Sequence, residues 1–274
     1  MKKIYGIIGT DVNGGMFNAD FTGRARRDSQ GNMIHSDVSL KYCFRRTWAL
    51  KDGLDSVLAY TKYDKDLNPT TLEDNFKFKF PKIGKTKQDV REQLLTYKDV
   101  RNFGMAFAIA KNNISLTGTV QIGWGINING NEIERSIQIL SPYASGKGKG
   151  QTTLGTQYIV DNALFVAPLI INFTEDYKEK DYKDFVETSK RAVTETQSRS
   201  MIGCNSAFSC FVELKNEVIP TDLLSSRVKL EDGNQLIFDF EGVELKSVEL
   251  FANIYKYDVK IINSNIDIEV KNLF

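Results

Sequence analysis

Three arginines fall within four residues near the start of the chain, at Arg24, Arg26 and Arg27. They follow a loop rich in glycine and asparagine, whose candidate binding residues are Asn13, Gly14 and Asn18. Exposed backbone amides and planar guanidinium groups both bind phosphate oxygens, so the two features together predict a phosphate-binding loop. Arginine-rich loops are also common on surfaces that bind nothing, and the residues alone leave that alternative open.

A basic helix is predicted directly after this loop. Ser36 or Asp37 is a favourable N-cap, because its side-chain oxygen can accept from a free amide one turn on. Lys41 and Arg45 lie four residues apart with Arg46 beside them, and the free amides of the first turn can also face an anion. A buried stripe is expected at helical spacing, made of Leu40, Cys43, Phe44, Thr47 and Trp48. The helix therefore combines an apolar back with a cationic edge, although a solvated basic face is the commoner outcome.

The net charge of +1 conceals an uneven distribution. Residues 1–51 carry nine Lys/Arg against four Asp/Glu, whereas residues 211–274 carry seven against twelve. A cationic front and an anionic back suit a nucleic-acid partner at one end, and they also suit head-to-tail association of identical copies. A chance segregation of surface charge remains a third explanation.

Several classes of chemistry have no signal in the sequence. The single histidine, His35, and the absence of zinc, dinucleotide and nucleophile-elbow motifs argue against a metal, a cofactor or covalent catalysis. Three cysteines without Cys-x-x-Cys spacing suggest a reducing, cytoplasmic setting. No apolar run is long enough to span a bilayer, so no membrane partner is expected. Asp11, Asp20 and Asp37 could hold a metal beside the arginines, but binding is favoured over catalysis.

The coarse order of elements is strand, helix, strands, helix, strands, which predicts a two-layer α+β sandwich with large insertions. The first strand covers residues 3–10, where Gly6 and Gly9 indicate a close approach by another group. A polar insertion covers about 50–98, with an edge strand at 77–80 and a helix at 89–97. Residues 115–128 and 132–140 are expected to form a hairpin, and 181–198 the clearest later helix.

Several short motifs, taken in order, resemble the CRISPR-associated backbone subunit of type I interference complexes (Cascade), within the RAMP superfamily. They cover most of the first 170 residues and are Asn13–Gly15, Asn18, Gly23–Arg26, Ser36–Lys41 with Arg45, Asp99–Gly104 and Leu116–Gln121. Val12, Ala25 and Thr119 replace prolines common in the family, and Gly15 replaces an acidic residue. Among the subtypes, the pattern leans towards type I-B.

The resemblance implies an RRM-like (ferredoxin-like) palm, a helical or finger insertion at about 50–98 and a β-hairpin thumb at about 119–157, all within one domain of residues 1–274. Copies would polymerise head to tail along the guide RNA (crRNA), and each thumb would displace one base of the guide–target duplex. The implied RNA-binding residues add Ser36, Ser39, Arg101, Gln121 and the thumb-tip Lys147 and Lys149 to the loop and helix residues above.

The implied partners are the crRNA, a target nucleic acid that is expected to be DNA, further copies of the chain and other Cascade subunits. The chain itself would not be an enzyme. One alternative is a type III-like subunit that cuts target RNA with Asp20 or Asp11, and another is a β-rich oligomer that binds no nucleic acid.

Four aromatic residues could stack on bases, namely Phe17, Phe21, Phe103 and Trp124. Each is more often part of a core, because aromatic side chains are usually buried. Trp124, which stands between two glycines, is the best candidate for an exposed base contact.

Overall fold

The computed structural model describes residues 2–109, 112–130, 133–140, 154–215 and 218–274, which form an α+β fold. The first elements are β1 (Lys3–Val12), β2 (Ile34–His35), α1 (Asp37–Asp52), α2 (Leu72–Lys79), α3 (Lys87–Leu94), α4 (Lys98–Phe103) and β3 (Gly104–Ile109). Next come β4 (Asn112–Thr117), β5 (Val120–Ile122), β6 (Gly125–Asn127), β7 (Glu134–Leu140), β8 (Leu154–Val160) and β9 (Ala163–Asn172). The last are α5 (Glu179–Ser189), α6 (Ala192–Glu195), β10 (Cys204–Leu214), α7 (Leu223–Ser226), β11 (Val228–Glu231), β12 (Gln235–Asp239), β13 (Leu245–Ala252), β14 (Asp258–Ile262) and β15 (Val270–Asn272).

One large sheet organises the chain, with the strand order β15-β13-β10-β1-β9-β6-β2 and with β5 also paired to β9. The central strand β1 is antiparallel to both β9 and β10. It is buried from Ile4 to Val12 because its sequence is apolar on both faces, as a central strand requires. Gly9 lies under the ring of Phe208, where an added Cβ would come within 2.3 Å, so the predicted close approach is confirmed.

Helices α1 and α5 cover one face of this sheet. The rings of Phe44 and Phe185 stack at 4.7 Å between centroids, and Trp48 Nε1 donates to Thr188 Oγ1 at 2.9 Å. The buried stripe predicted for α1 is confirmed in full, and its N-cap is Ser36. This face therefore forms the principal core.

The C-terminal part of the chain covers the opposite face. Leu224, Phe238 and Tyr257 pack there against Tyr5 and Phe208 of the sheet. Both faces are thus occupied over the centre of the sheet, and its middle strands are not available as an open stacking platform. A nucleic acid could reach only the edges and the loops.

A third, smaller core belongs to the insertion between α1 and β5. It contains residues of α2, α3, α4 and the β3–β4 hairpin, from Leu58 to Leu116. The structural unit thus extends past the expected end near residue 98, because Phe107 and Ile114 of the hairpin complete its apolar centre.

Residues 77–80 end helix α2, and the predicted edge strand is wrong. Thr71 and Asp74 form a reciprocal capping box that starts the helix. Phe76 and Phe80, four residues apart, pack together with 5.3 Å between their ring centroids. The alternation of lysine and phenylalanine at 77–80 fits a strand, whereas the four-residue spacing of Phe76 and Phe80 fits a helix. The capping box favours the helix.

The hairpin predicted around residues 129–131 is also wrong in its pairing. β6 pairs with β2 and β9 of the large sheet, whereas β7 pairs with β8. The β7–β8 pair overlaps the range of about 119–157 expected for the thumb. Lys147 and Lys149, predicted at its tip, lie outside the described residues.

The predicted helix at 181–198 is shorter than expected. Helix α5 ends at Ser189, α6 ends at Glu195, and a polar segment follows to residue 201. This segment returns the chain to the start of α1, where it completes the candidate site.

Candidate nucleic-acid interface

A groove of about 680 Å³ runs beside the N-terminal half of α1. Its walls are the helix, residues 17–26 of the arginine loop and the segment 196–201. It brings together five of the predicted binding residues, which are Asn18, Arg26, Ser36, Ser39 and Arg46. None of its described lining residues is Asp or Glu, so the groove has a net positive charge.

Hydrogen bonds fix the loop to the start of the helix. Asn18 Oδ1 accepts from the backbone N–H of Ser36 at 2.8 Å. The Ser36 hydroxyl accepts from Ser39 N, and the Ser39 hydroxyl donates to Ser36 O at 2.6 Å. These contacts hold the loop wall and the helix wall at a fixed separation.

Two arginines in the groove retain free donors. Arg26 Nε is shielded from solvent and has no hydrogen-bond partner in the described part of the chain. Arg46 donates from Nη1 to Glu195 O at 2.8 Å, and its side chain makes no ion pair with the described residues. Because Nε is shielded, it is not itself open to a ligand. The Nη groups of the half-buried Arg26 make no hydrogen bond or ion pair with the described residues, and they are the donors that a phosphate oxygen could reach.

Two further depressions share lining residues with the groove. Ser198 and Ser200 also line a depression beside β8 that contains Tyr158 and Arg199. In the other direction, Arg46 and Gln197 also line a depression that contains Leu50, Lys51 and Arg191. We call these three connected spaces the furrow. Its cations are Arg199, Arg26, Arg46, Arg191 and Lys51, and its lining also includes Glu195. Arg191 lies 3.6 Å from Glu195 and Lys51 lies 3.4 Å from Asp184, so these two charges are already partly neutralised.

Lys41 and Arg45, expected to contact phosphates, are instead bound to carboxylates. Lys41 Nζ is 2.7 Å from Asp37 Oδ2, and its side chain is only 15% exposed. Arg45 Nε is 3.2 Å from Asp99 Oδ2, with side-chain exposures of 14% and 0%. Because Asp99 is fully buried and needs a counter-charge, Arg45 joins α1 to the insertion and does not line the furrow.

The other predicted arginines make structural contacts as well. Arg101 binds Asp181 at 2.9 Å and so connects α4 with α5. Arg24 is 3.1 Å from Glu134 Oε2, which attaches the arginine loop to the β7–β8 hairpin. Arg27 donates to Gly31 O within its own turn.

The amides of the glycine-rich loop are engaged by other backbone groups. Asn13 N donates to Gly203 O at 2.8 Å, Gly14 N to Val160 O at 3.0 Å, and Gly15 N to Val160 O at 3.2 Å. The predicted cradle of free amides is therefore not available, since the loop uses them to bind the chain beside it.

Two of the four candidate stacking residues are buried and two are exposed. Phe17 and Phe103 are core residues with 6% and 9% exposure, whereas Phe21 is 99% and Trp124 53% exposed. Trp124 and the exposed Gln121, whose amide donates to Gly118 O at 2.8 Å, lie at the β5–β6 edge and not in the furrow.

Two groups next to the groove are uncharged at neutral pH. Burial lowers the pKa of His35 to about 4, and its ring is held edge-on between Phe17 and Phe165. Burial raises the pKa of the Cys43 thiol to about 11, so it is not a thiolate nucleophile. Both side chains support the groove wall structurally.

The acidic residues of the alternative, RNA-cutting hypothesis have partners. Asp11 accepts from Lys256 Nζ at 2.6 and 2.7 Å and from the Tyr257 hydroxyl at 3.0 Å. Asp20 Oδ1 accepts from the Thr22 hydroxyl and from the amides of Thr22 and Arg24, and these hydrogen bonds hold the pKa of Asp20 below its usual value. In the described ranges, no three His, Cys, Asp or Glu residues cluster as metal ligands would.

Sequence reasoning missed the third wall of the groove. The stretch Gln197–Ser200 contains two serines and Arg199 between a helix and a strand, which is the same kind of signal that marked the arginine loop. The sequence analysis did not treat this stretch as a loop, because it predicts a helix as far as residue 198. Tyr42 and Arg191 were missed as well, although both are exposed along the furrow.

Comparison with known proteins identifies the class of protein. Residues 2–262 match the family described as CRISPR-associated protein Cas7. The chain therefore belongs to this family of crRNA-binding backbone proteins of CRISPR complexes.

Two solved structures of low sequence identity align with most of this chain. One is titled "CRISPR RNA-guided surveillance complex, pre-nicking", with 12% identity, a TM-score of 0.49 and 80% coverage of each chain. Another is titled "Cryo-EM structure of the Type III-B Cmr-beta bound to cognate target RNA", with 9% identity, a TM-score of 0.47, and coverage of 77% of this chain and 61% of that chain. No curated protein matches the sequence. No described helix is long and apolar enough to cross a membrane.

Proposed function

We propose that this chain is the non-catalytic backbone subunit of a type I CRISPR surveillance complex and that it holds the guide RNA in the furrow. The observation that carries the proposal is the groove beside α1, where Arg26 and Arg46 have free donors and no carboxylate is present among the described lining residues. Such a surface binds a sugar–phosphate chain of any sequence.

The central sheet is proposed to be an RRM-like palm. Its strands β10-β1-β9-β6 and the crossover helices α1 and α5 have the order and directions of a split βαβ unit. Unlike a simple RRM, the chain would bind RNA at the edge of α1, because α7 and the β11-β12-β14 sheet cover the opposite face of the large sheet.

Assembly in the cytoplasm with copies of itself and with other complex subunits forms part of the proposal. The arginine-rich front and the acidic C-terminal region offer complementary charge for head-to-tail stacking along one guide. The β7–β8 hairpin would serve as the thumb that interrupts the guide–target duplex.

The proposed target is DNA, and the chain would not cut nucleic acid. The hydrogen bonds that engage Asp11 and Asp20 support the second part of this proposal, the lack of cutting, because they give each carboxylate a structural role. The DNA target rests on the resemblance to type I complexes. Guide-paired RNA incubated with the protein and Mg²⁺ should remain intact. Cleavage at regular intervals that is lost in Asp20→Ala would favour the type III-like alternative.

The direct test replaces both groove arginines. Arg26→Ala with Arg46→Ala should weaken binding of unrelated single-stranded RNAs about equally and by about a hundredfold, because each charge-assisted contact contributes about 1.5 kcal/mol. Fluorescence anisotropy with three oligonucleotides of different sequence measures the effect.

A matched control removes the same charge elsewhere. Lys229→Ala with Lys260→Ala changes two exposed lysines of the β11-β12-β14 sheet and should leave the affinity unchanged. Equal losses in the two double variants would mean that only overall charge matters, and the assignment of the groove would be abandoned.

A further inference from the structure

The groove contains an aromatic surface that no predicted role explains. Tyr42 is 45% exposed and lines the groove between Ser39 and Arg46 on α1. Its ring stacks on that of Tyr60 with centroids 6.0 Å apart and an interplanar angle of 22°. One tyrosine thus supports the other from behind.

The supporting tyrosine is held firmly in place. Asp99, fully buried, accepts from Leu58 N and Ala59 N at 2.9 Å each. Asn75 Nδ2 donates to Tyr60 O at 3.0 Å. These contacts fix the backbone of residues 58–60, so the supporting ring projects from an ordered segment.

We infer that Tyr42, backed by Tyr60, is a stacking platform for one nucleobase of the guide RNA. The inference rests on the proposed function, because the arginines must first hold the backbone in the groove. Arg26 and Arg46 offer donors to phosphates, and Tyr42 lines the same groove, so a nucleotide held there can turn its base onto the ring. Base–aromatic stacking tolerates any base, as a guide of variable sequence requires.

A protein partner fits this surface less well. Val38 and Leu50, at 64% and 65% exposure, share the helix ridge with Tyr42, but Arg46 interrupts the ridge. The facing wall is polar and contains Gln197, Ser198 and Ser200. The core of a protein interface is depleted in charged side chains, whereas an aromatic ring beside a guanidinium and hydrogen-bonding groups is typical of single-stranded nucleic-acid sites.

The experiment compares RNA with an abasic oligomer of the same ribose–phosphate length. Tyr42→Leu should bind RNA about tenfold more weakly than the wild-type chain does. It should bind the abasic oligomer with the same affinity as the wild-type chain. Tyr42→Phe keeps the ring and should behave as the wild type with both ligands. An RNA that carries 2-aminopurine should lose fluorescence on binding to the wild type and to Tyr42→Phe, but much less on binding to Tyr42→Leu. Circular dichroism and the unfolding midpoint verify that the variants are folded.

The other outcomes separate the inference from the function on which it rests. If Tyr42→Leu binds RNA as the wild type does while the Arg26/Arg46 variant is impaired, the platform is refuted and the proposed function stands. An equal loss for RNA and abasic oligomer would also refute it, because the ring would then act on groove shape alone. If only the oligomeric state changes, the surface is a protein contact and the platform is likewise refuted. If the Arg26/Arg46 variant binds normally, the proposed function itself falls.

Discussion

His35 occupies a fully buried position directly before the groove. Its Nδ1 lies 3.0 Å from Ser36 O and, since a carbonyl only accepts, must carry the proton there, while Nε2 is buried without a partner. An added Cβ at Gly125 would lie 2.0 Å from Nε2, so the packing around the ring leaves no room for a solvating water on that side. The imidazole is consequently held neutral.

This burial predicts a loss of stability in mild acid. Below pH 6.5 the unfolded chain gains a proton on His35 that the folded chain does not accept until the pH nears 4. The free energy of unfolding should therefore fall by about 1.4 kcal/mol per pH unit between those values from this residue alone. Urea denaturation at pH 7.0, 6.0 and 5.0 measures the slope.

Other groups also titrate in this range, so His35→Gln serves as the reference. The wild-type slope should exceed that of the variant across pH 6 to 5. Parallel stability curves for the two proteins would show that His35 is accessible to protons in the folded state.

At the scale of elements, Asp99 connects α1 to the insertion. One carboxylate accepts from two backbone amides of the incoming segment and from Arg45 of the helix. Helix α1 and the Tyr60 segment thereby share a single buried carboxylate. Arg45 contributes to this connection and does not line the furrow, so its role is in stability.

Asp99→Asn is expected to lower the free energy of unfolding by about 3 kcal/mol, because an NH₂ group would face a donor and Arg45 would lose its counter-charge. Asp267→Asn, at an exposed site, should cost less than about 0.5 kcal/mol. Chemical denaturation measures both.

Arg45→Ala should likewise reduce stability, with the RNA affinity of the folded fraction within about twofold of the wild type. A large drop in RNA affinity at unchanged stability would show that Arg45 contacts a phosphate.

At the scale of the whole molecule, charge is distributed so that the cations of the furrow lie mainly on the first 51 residues and on residues 191–199. Binding at such a surface releases counterions from the RNA, so the logarithm of the affinity should fall linearly with the logarithm of the salt concentration. The slope reports how many phosphates the furrow neutralises.

Replacing Arg26 and Arg46 together should reduce the magnitude of this slope by about 1.4, because single-stranded nucleic acids contribute about 0.7 per neutralised phosphate. Measurements of the RNA affinity at several salt concentrations between about 50 and 300 mM give the slope for each variant. A slope identical to that of the wild type would place the RNA elsewhere on the molecule. The Lys229/Lys260 variant, with its charges removed from a distant sheet, should retain the wild-type slope.

Short-range patterns allowed part of this molecule to be predicted from its sequence. The apolar run of β1, the Ser36 cap and the inward stripe of α1 depend on neighbours within a few residues, and all three are confirmed. The density of arginine and glycine after β1 marked the right region for a binding surface, because composition alone sets the local charge. The family resemblance rested on the same first part of the chain.

The tertiary structure decided everything that depends on distant partners. Arg26 and Arg45 each stand beside another arginine in the sequence, yet Arg26 lines a groove and Arg45 meets Asp99, 54 residues away. Strands β6 and β7 pair with other strands and not with each other, and the third wall of the groove comes from residues 196–201. The sequence by itself determined β1, α1 and the regions where cations are plentiful, but it did not determine the element type at 77–80 or the end of the helix predicted at 181–198. The fold decided which cations are neutralised, because a charge is available to a ligand only where folding brings no carboxylate to it.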